Sequence, residues 1–420
     1  MSVAAFPIFA LALGEAAILA GLCKGALMID VFLNAQADRR IKRGHLWLYS
    51  NEIDVHRSPL KGLSAGQLVN VLTHSGAPLG TAYVNPQALI CGRLLSRQVN
   101  AKIDTAFFVK AIERALRLRE RCFAKPFYRL IYGDADFLPG LVVDRYGDYC
   151  VVQMASAGID QMAEPILAAL QKVIKPKGIV LRNDHSAREL EDLPEQLATI
   201  GEVPEVLRLE ENGVPFEIPA LTGQKTGWFY DHRMNRQFLA PLCQGKRVLD
   251  VFCYLGSWGI QAAVAGAEQV SLVDASGPAL EGARRNAELN GVSGKVITHK
   301  GKAIEVLKNL LAEGEKFDVV VLDPPAFIKK RKDQKAGEAA YRHINELAVR
   351  LLEKDGLLVS ASCSMPLENT VLTDLVRGAA RANDRNAQLI WTGGQGPDHP
   401  IHPAIAETAY LKAQFFAISI

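Results

Sequence analysis

The alternation of apolar and polar residues changes character three times along the 420-residue chain. The first 27 residues, MSVAAFPIFALALGEAAILAGLCKGAL, are apolar almost throughout, with Glu15 in mid-run. From Ile29 to about Asn100, short runs (QLVNVLT, PLGTAYV, LICGRLLS) are punctuated by Gly and Pro. They predict short strands forming a small β-barrel. DTAFFVKAIERALRLRERCF then repeats its apolar positions at steps of three and four, which predicts a helix. FYRLIYGDADFLPGLVVDRYGDYCVVQMAS reads as three strands and two turns, followed by a helix (MAEPILAALQKVI) and a strand (GIVLRN). This makes an α+β unit reaching about Ile200.

After Gly201 strands and helices alternate. RVLDVF leads into GIQAAVAG, QVSLVDAS into GPALEGARRNAELNG, and KVITHKG into KAIEVLKNLLAEG. FDVVVLDPPAF precedes AAYRHINELAVRLLEKDG, LLVSASCS precedes ENTVLTDLVRGAARAN, and AQLIWTGG and KAQFFAISI close the chain. This rhythm predicts an α/β fold with a doubly wound, mostly parallel sheet, the last two strands adding an antiparallel edge. Such sheets bind ligands outside the carboxyl ends of their strands. The domain boundaries expected are 28–100, 101–200 and 201–420, with residues 1–27 an extension outside the fold.

Composition adds limits rather than chemistry. An apolar share of 49% and a charged share of 22% are those of a globular protein. A net charge of +3 gives no global field for nucleic acid, so any such signal must be local. Seven cysteines without a C-x-x-C pair argue against a disulfide framework or a zinc site and for a reducing cytoplasm. The apolar N-terminus lacks the basic flank of a signal peptide; a membrane anchor is the less favoured alternative to an upstream extension.

The candidate chemistry lies at strand ends. VLDVFCYLGSWGI ends a strand on Asp250 and turns through Phe252, Gly256 and Gly259; the glycines allow close backbone approach and open a helix N-terminus. Asp274 ends the next strand, where an acid accepts ribose hydroxyls or merely caps a helix. Together these favour a nucleoside-containing cofactor. In VVVLDPPAF, Pro324 and Pro325 hold the backbone extended after Asp323, a mouth where a planar base edge can be gripped. Two basic runs read either as solvated faces or as RNA contacts. One is Arg39, Arg40, Lys42, Arg43 and His45 ending at Trp47; the other is Lys329, Lys330, Arg331, Lys332 and Lys335. Cys363, in GLLVSASCSMPLENT, is on its own more readily a buried thiol than a nucleophile.

LDVFCYLGSWG, VDAS, LDPPAF and SCS, in that order, resemble class I S-adenosylmethionine-dependent methyltransferases. The chain from Met28 resembles the RlmI-like family of large-subunit ribosomal RNA cytosine-5 methyltransferases. RRIKRGHLWLYSNEI is similar to its PUA RNA-binding domain, and DFLPGLVVDRYGDYCVVQ and RNDHSARELEDLP to its central domain. TGQKTGWFYDHRMNR is similar to the segment that closes over the cofactor. The resemblance implies S-adenosylmethionine as cofactor, held by Asp250, Phe252, Gly256, Gly259, Asp274, Lys302, Ala303, Tyr230 and Asp231. Lys302 and Ala303 stand where such enzymes usually carry Gly-Asp-Ala, so the usual adenine-binding acid is replaced. The implied substrate is ribosomal RNA or a large-subunit assembly intermediate, touched by the basic runs, Trp47, Pro324, Pro325 and Phe327. No metal and no membrane are expected, and a homodimer is compatible with the sequence. Cys363 would be the nucleophile, with Asp323 toward the base edge. Three other readings stay open: a base N-methyltransferase, a carbon 5 uracil methyltransferase and a catalytically silent RNA-binding factor.

Overall fold

The computed structural model describes residues 28–420; the apolar run at 1–27 lies outside the described residues. The chain divides into two compact units, one running up to Lys42 and over Trp47–Lys102, the other comprising Arg43–Leu46 and Ile103–Ile420.

The first unit holds β1 (Ile29–Phe32), α1 (Asp38–Lys42), β2 (Trp47–Tyr49), β3 (Leu68–Leu72), β4 (Pro78–Val84) and β5 (Ile90–Ser96). Its sheet runs β1-β3-β4-β5-β2. A bridge between Leu33 and Ile53 joins the chain beyond one edge strand to the chain beyond the other. The Asp54 N–H donates to the Phe32 carbonyl (2.9 Å) and the Asn34 N–H to that of Glu52 (2.8 Å). Closure of this kind removes the exposed edges, and Val31, Leu33, Leu48, Val69 and Val71 fill the interior.

The second unit begins with α2 (Thr105–Cys122), capped by the Asp104 carboxylate, which accepts from the Phe107 N–H at 3.1 Å. Next come β6 (Phe127–Tyr132), β7 (Leu141–Tyr146), β8 (Tyr149–Met154), α3 (Ala157–Gln161), α4 (Ala163–Val173), β9 (Gly178–Asn183) and β10 (Gln196–Gly201). The sheet order is β10-β9-β8-β7-β6. Strand β10 is absent from the sequence reading because it is an edge strand with both faces largely exposed, so no alternation marks it.

A hairpin follows that the sequence reading also passes over, β11 (Val206–Glu211) and β12 (Val214–Pro219). Asn212 and Gly213 link the two with φ of 54° and 81°, the left-handed pair that a tight hairpin turn requires. Leu207, Leu209, Phe216 and Ile218 are buried on its inner face. At the end of β11, Glu211 is fully buried and accepts from Arg236 Nε (2.6 Å), Trp228 Nε1 (3.0 Å) and Gln261 Nε2 (2.9 Å). Arg233 Nε lies 3.6 Å from the same carboxylate.

The remaining chain runs α5 (Arg233–Leu239), β13 (Arg247–Val251), α6 (Ser257–Val264), β14 (Gln269–Asp274), α7 (Gly277–Leu289), β15 (Val296–Lys300) and α8 (Ala303–Ala312). It continues with β16 (Phe317–Leu322), α9 (Gln334–Leu351), β17 (Leu352–Ser362), α10 (Asn369–Arg381), β18 (Asn386–Gly393) and β19 (Lys412–Ser419). These strands form a seven-stranded sheet ordered β15-β14-β13-β16-β17-β19-β18. Its first five strands are parallel, and β19 and β18 add the expected antiparallel edge. The order reverses at β13, which lies between β14 and β16, so the crevice for a ligand opens above Asp250. Helices on both faces bury β13 from Val248 to Val251, which explains why VLDV reads as a continuous rather than alternating run.

Candidate active site

The loop leaving β13 makes a tight passage, with left-handed backbone at Phe252 (φ 66°), Tyr254 (φ 50°) and Gly256 (φ 80°). Non-glycine residues rarely adopt this conformation, and such positions gather at ligand sites. Asp250 Oδ2 accepts from the Gly259 N–H at 2.9 Å, tying the strand end to the start of α6. A Cβ on Gly259 would lie 2.4 Å from Leu272 Cδ2 and 2.7 Å from Val270 Cγ1, so only glycine lets α6 sit this close to the sheet. Asp250 Oδ1 is buried with no protein partner. Burial, with Asp323 and Asp274 nearby, raises its carboxyl to about 7.

Asp274, at the end of β14, accepts one backbone N–H on each oxygen, from Ser276 at 2.8 Å and Tyr254 at 3.0 Å. Each oxygen keeps a lone pair for a hydroxyl. The cap of α7 is Ser276, whose hydroxyl accepts from the Ala279 N–H, so the helix-cap role considered for Asp274 falls to its neighbour.

Across β13, Asp323 is held from two sides. Trp258 Nε1 donates to Oδ2 at 3.2 Å, and His232 Nε2 stands 3.2 Å from Oδ1. Burial pushes this carboxyl up, but His232 and Trp258 outweigh it and hold it below the ordinary carboxylate range. The His232 tautomer is set from behind: Asn235 Nδ2 lies 2.9 Å from His232 Nδ1 and donates to the Gly394 carbonyl at 3.0 Å. Nδ1 is therefore the acceptor for Asn235, and Nε2 is the ring nitrogen that faces Asp323. Beyond Asp323, Pro324 is buried and Pro325 exposed.

Cys363 follows β17 and is half-buried. Its thiol donates to the Pro324 carbonyl at a sulfur distance of 3.9 Å. Burial and then Asp323 push the thiol up, Lys225 pulls it down, and Asp231 opposes Lys225. Behind it, Tyr341 Oη bonds Ser362 Oγ (2.8 Å) and Ser364 Oγ (2.9 Å), and Ser364 Oγ accepts from the Ile328 N–H. This cluster fastens the cysteine loop to the Asp-Pro-Pro loop.

A second loop, residues 222–229, reaches the same edge. Arg182 Nη2 donates to the Gly223 carbonyl (2.8 Å), Arg129 Nη2 to Thr226 Oγ1 (3.3 Å) and Tyr146 Oη to the Thr226 carbonyl (3.1 Å). All three side chains come from the five-stranded sheet. Tyr254 Oη accepts from the Gln224 N–H (2.9 Å). Lys225, at φ 50°, places its ammonium 4.8 Å from the Phe229 ring centroid.

The structure thus gathers Asp231, Asp250, Phe252, Gly256, Gly259, Asp274, Asp323, Pro324 and Cys363 at one sheet edge. Other candidates lie elsewhere. Tyr230 is turned into the core, its ring against Tyr146 and its hydroxyl donating to the Arg145 carbonyl, so it offers no polar group to a cofactor. Lys302 points to solvent beside Glu305, with Ala303 opening α8 behind it. Phe327 packs on Tyr341 with ring centroids 4.8 Å apart. Lys329, Lys330, Arg331, Lys332 and Lys335 are exposed. Of the first basic run, Arg39, Lys42 and Arg43 are exposed, Trp47 is half-buried, and His45 is buried. Arg40 is occupied by Glu52 and the Trp47 carbonyl. Lys225, His232, Trp258, Tyr341 and Lys412 escaped the sequence reading; the only signal for them is proximity to a motif or, for Lys412, strand register opposite Ser362. Among the described residues no cluster of three potential metal ligands occurs, and no helix is long and apolar enough to cross a membrane.

Residues 31–97 match the PUA-like domain family and residues 170–415 the S-adenosylmethionine-dependent methyltransferase family. The ribosomal RNA large subunit methyltransferase I of Shewanella denitrificans is 34% identical over 92% of this chain and 98% of its own. That of Tolumonas auensis is 34% identical over 91% and 97%. The chain belongs to the ribosomal RNA large subunit methyltransferase I family. In this family member the fold matches a putative S-adenosylmethionine-dependent methyltransferase from Streptococcus mutans, at a TM-score of 0.78 and 21% identity over 93% of this chain and all of that one. A putative methyltransferase complexed with SAH gives a TM-score of 0.79 at 21% identity, over 93% of this chain and all of that one.

S-adenosylmethionine supplies an electrophilic methyl group on a sulfonium. The methyltransferase's own residues suit it. Asp250 faces a crevice where burial, with Asp323 and Asp274 nearby, raises its carboxyl, which a cationic ligand relieves. The orphaned Asp250 Oδ1 and the free lone pairs of Asp274 are matched acceptors for ammonium and hydroxyl donors.

Proposed function

We propose that this methyltransferase acts on carbon 5 of a cytosine in large-subunit ribosomal RNA through a covalent adduct of Cys363. The observation that carries the reading is the Cys363 thiol against the Pro324 carbonyl, beside an Asp323 whose two oxygens are held by Trp258 and His232. Carbon 5 of cytosine is too weak a nucleophile to attack a methylsulfonium unaided. Addition of the thiolate at carbon 6 forms a C–S bond and moves an electron pair onto carbon 5, which then takes the methyl group. Loss of the carbon 5 proton and breaking of the C–S bond restore the aromatic ring and the thiolate. Asp323, ionised, accepts from the base edge and orients it. The target base leaves its stack to reach this pocket. The exposed cations Lys329–Lys335 beyond Asp323, and those of the PUA-like unit, suit phosphate contact.

The test is RNA containing 5-fluorocytidine with S-adenosylmethionine, where fluorine blocks the last proton loss. A protein–RNA complex that survives denaturation and is lost in Cys363→Ala supports the reading. Methyl transfer persisting in Cys363→Ala would point to a base N-methyltransferase. Trapping by 5-fluorouridine alone would point to uracil, and RNA binding without any transfer to a silent factor.

Cofactor binding has its own prediction. Asp274→Ala should weaken S-adenosylmethionine about tenfold or more in calorimetry, because charge-assisted bonds to two hydroxyls contribute about 1.5–3 kcal/mol each when fully formed. The RNA affinity of the variant should match that of the wild type.

A further inference from the structure

The outer face of α2 carries a row of cations that the site described above does not use. Lys110, Arg114, Arg117 and Arg121 follow one another at steps of four, three and four, which lines them along one side of the helix. All four are exposed. The opposite side, with Phe108, Ala111, Ile112 and Ala115, is buried where α2 packs on α4 and β6, so the row contributes nothing to the core. Among the described residues none of the four is ion-paired; the neighbouring pairs are Arg119 with Asp136 and Lys125 with Glu210. Like charges three and four residues apart repel and weaken a helix. Only Arg121 lies in the last turn, where the helix dipole favours a cation. A polyanion laid along the row removes that repulsion. An aromatic group stands beside it. Phe137 is 46% exposed and held at φ 61°, a conformation unfavourable for a bulky residue. The Arg114 guanidinium lies over its ring, 5.2 Å from the centroid, and donates to the Asp136 carbonyl at 3.4 Å. From the buried side of α2, Arg119 donates to both Asp136 oxygens at 2.6 Å and to the Asp398 carbonyl at 2.9 Å. Two residues before Asp398, the Gly396 N–H donates to the Asp231 carbonyl at 3.1 Å. The row, the exposed ring and the candidate active site thus share one frame.

We propose that this face of α2 binds the backbone of the ribosomal RNA substrate, with Phe137 taking an unpaired base. The proposal rests on the RNA substrate of the family and not on the covalent role of Cys363. From Lys110 to Arg121 the helix rises about 16 Å, several times the spacing of charges along a nucleic-acid strand. The row therefore suits a run of phosphates rather than a single anion. Three of its four members are arginines, whose guanidinium groups grip phosphate through paired bonds. Cations that track a backbone, with an aromatic face for a base, are the parts by which single strands are held with little regard to sequence. An acidic protein surface would match the charges but leave the exposed ring unused. The row positions the strand, and selection of the base is left to the pocket at Asp323.

The experiment titrates unmodified large-subunit ribosomal RNA, transcribed in vitro, with the full-length protein at a series of salt concentrations. One variant carries Lys110→Ala, Arg117→Ala and Arg121→Ala together, which keeps helix propensity and leaves Arg114 on Phe137. Its affinity at about 0.15 M salt should fall about tenfold or more. The slope of log affinity against log salt should shrink by about 2, as the loss of three single-strand phosphate contacts requires. A control with Lys172→Ala, Lys308→Ala and Lys354→Ala, exposed cations on α4, α8 and β17, should keep the wild-type slope. Phe137→Leu, apolar but without a ring, should weaken binding about fivefold with the slope unchanged. S-adenosylmethionine affinity should match wild type in all three, which shows that they are folded. A row variant with wild-type affinity and slope overturns the proposal, and so does a control that falls as far. Unchanged binding in Phe137→Leu overturns the role of the ring. Loss of binding to assembled large subunits with free-RNA affinity intact would assign the row to a ribosomal protein and also overturn it. The expected losses together with no 5-fluorocytidine adduct in the wild type would leave the row standing and remove the covalent reading, so the two fail separately.

Discussion

If Cys363 is the covalent nucleophile proposed above, Cys363→Ala should reduce single-turnover methyl transfer by about 10³-fold or more, the scale on which loss of such a group acts. Without the thiolate, carbon 5 keeps its aromatic electron distribution, and positioning by Asp323 cannot replace the missing electron pair. Cys363→Ser should fall nearly as far, because a hydroxyl in the same buried position ionises far less readily than a thiol. S-adenosylmethionine affinity should stay within about twofold of wild type, since a residual effect below ~0.5 kcal/mol is usual for a site that does not touch the ligand. Asp250 and Asp274 sit on β13 and β14, while Cys363 follows β17, two strands beyond β13. A variant that loses both transfer and cofactor binding would mean that the cysteine loop is structural.

The largest effect on stability is expected at Glu211. Removing this carboxylate leaves the Arg236 guanidinium, and Arg233 beside it, buried without an anion. Breaking a buried pair by deleting one partner costs about 3–5 kcal/mol. Glu211→Ala should therefore show a lower denaturation midpoint, with His232 and Trp258 loosened because α5 and α6 lose their common anchor. Burial raises the Glu211 carboxyl, but Arg236 and Arg233 outweigh it, so the folded value lies below the ordinary one. The unfolded chain therefore takes up the proton first as pH falls. The stabilisation is complete above the unfolded value of about 4.3 and is lost as pH drops through the folded value. The stability gap between wild type and Glu211→Gln, measured by denaturant titration, should be widest at neutral pH and narrow below that point. A gap that widens in acid would reverse the assignment.

The large sheet was legible because β13, β14, β16 and the last half of β17 are short apolar runs, each bounded by a turn and followed by a helix, and Asp250, Asp274, Asp323 and Cys363 all fall where such runs stop. The hairpin was not legible in practice, although Asn212-Gly213 is its plain signature. Its flanking LRLEE and VPFEI are short and mixed with charge, and one of those charges, Glu211, faces inward. Strand β10 left no pattern because neither of its faces is fully covered. Tyr230 and Asp231 show the limit for site residues: adjacent in sequence, they face opposite ways, one into the aromatic core and the other toward Tyr410 at 2.5 Å and the surroundings of Cys363. Periodicity does not resolve a turn of three residues at that level. Lys412 was invisible for another reason, since the Ser364 carbonyl it meets is reached only through pairing of strands about fifty residues apart.

The loop over 222–229 hangs from Arg182, Arg129 and Tyr146, all on the five-stranded sheet, yet it carries Lys225 to the thiol on the seven-stranded one. Modularity therefore stops at this junction. A catalytic half lifted from a relative and joined to this central sheet would inherit a cofactor crevice but not the three hooks that hang the loop, unless Arg129, Tyr146 and Arg182 travelled with it. A change in either sheet at this junction is therefore felt by the other.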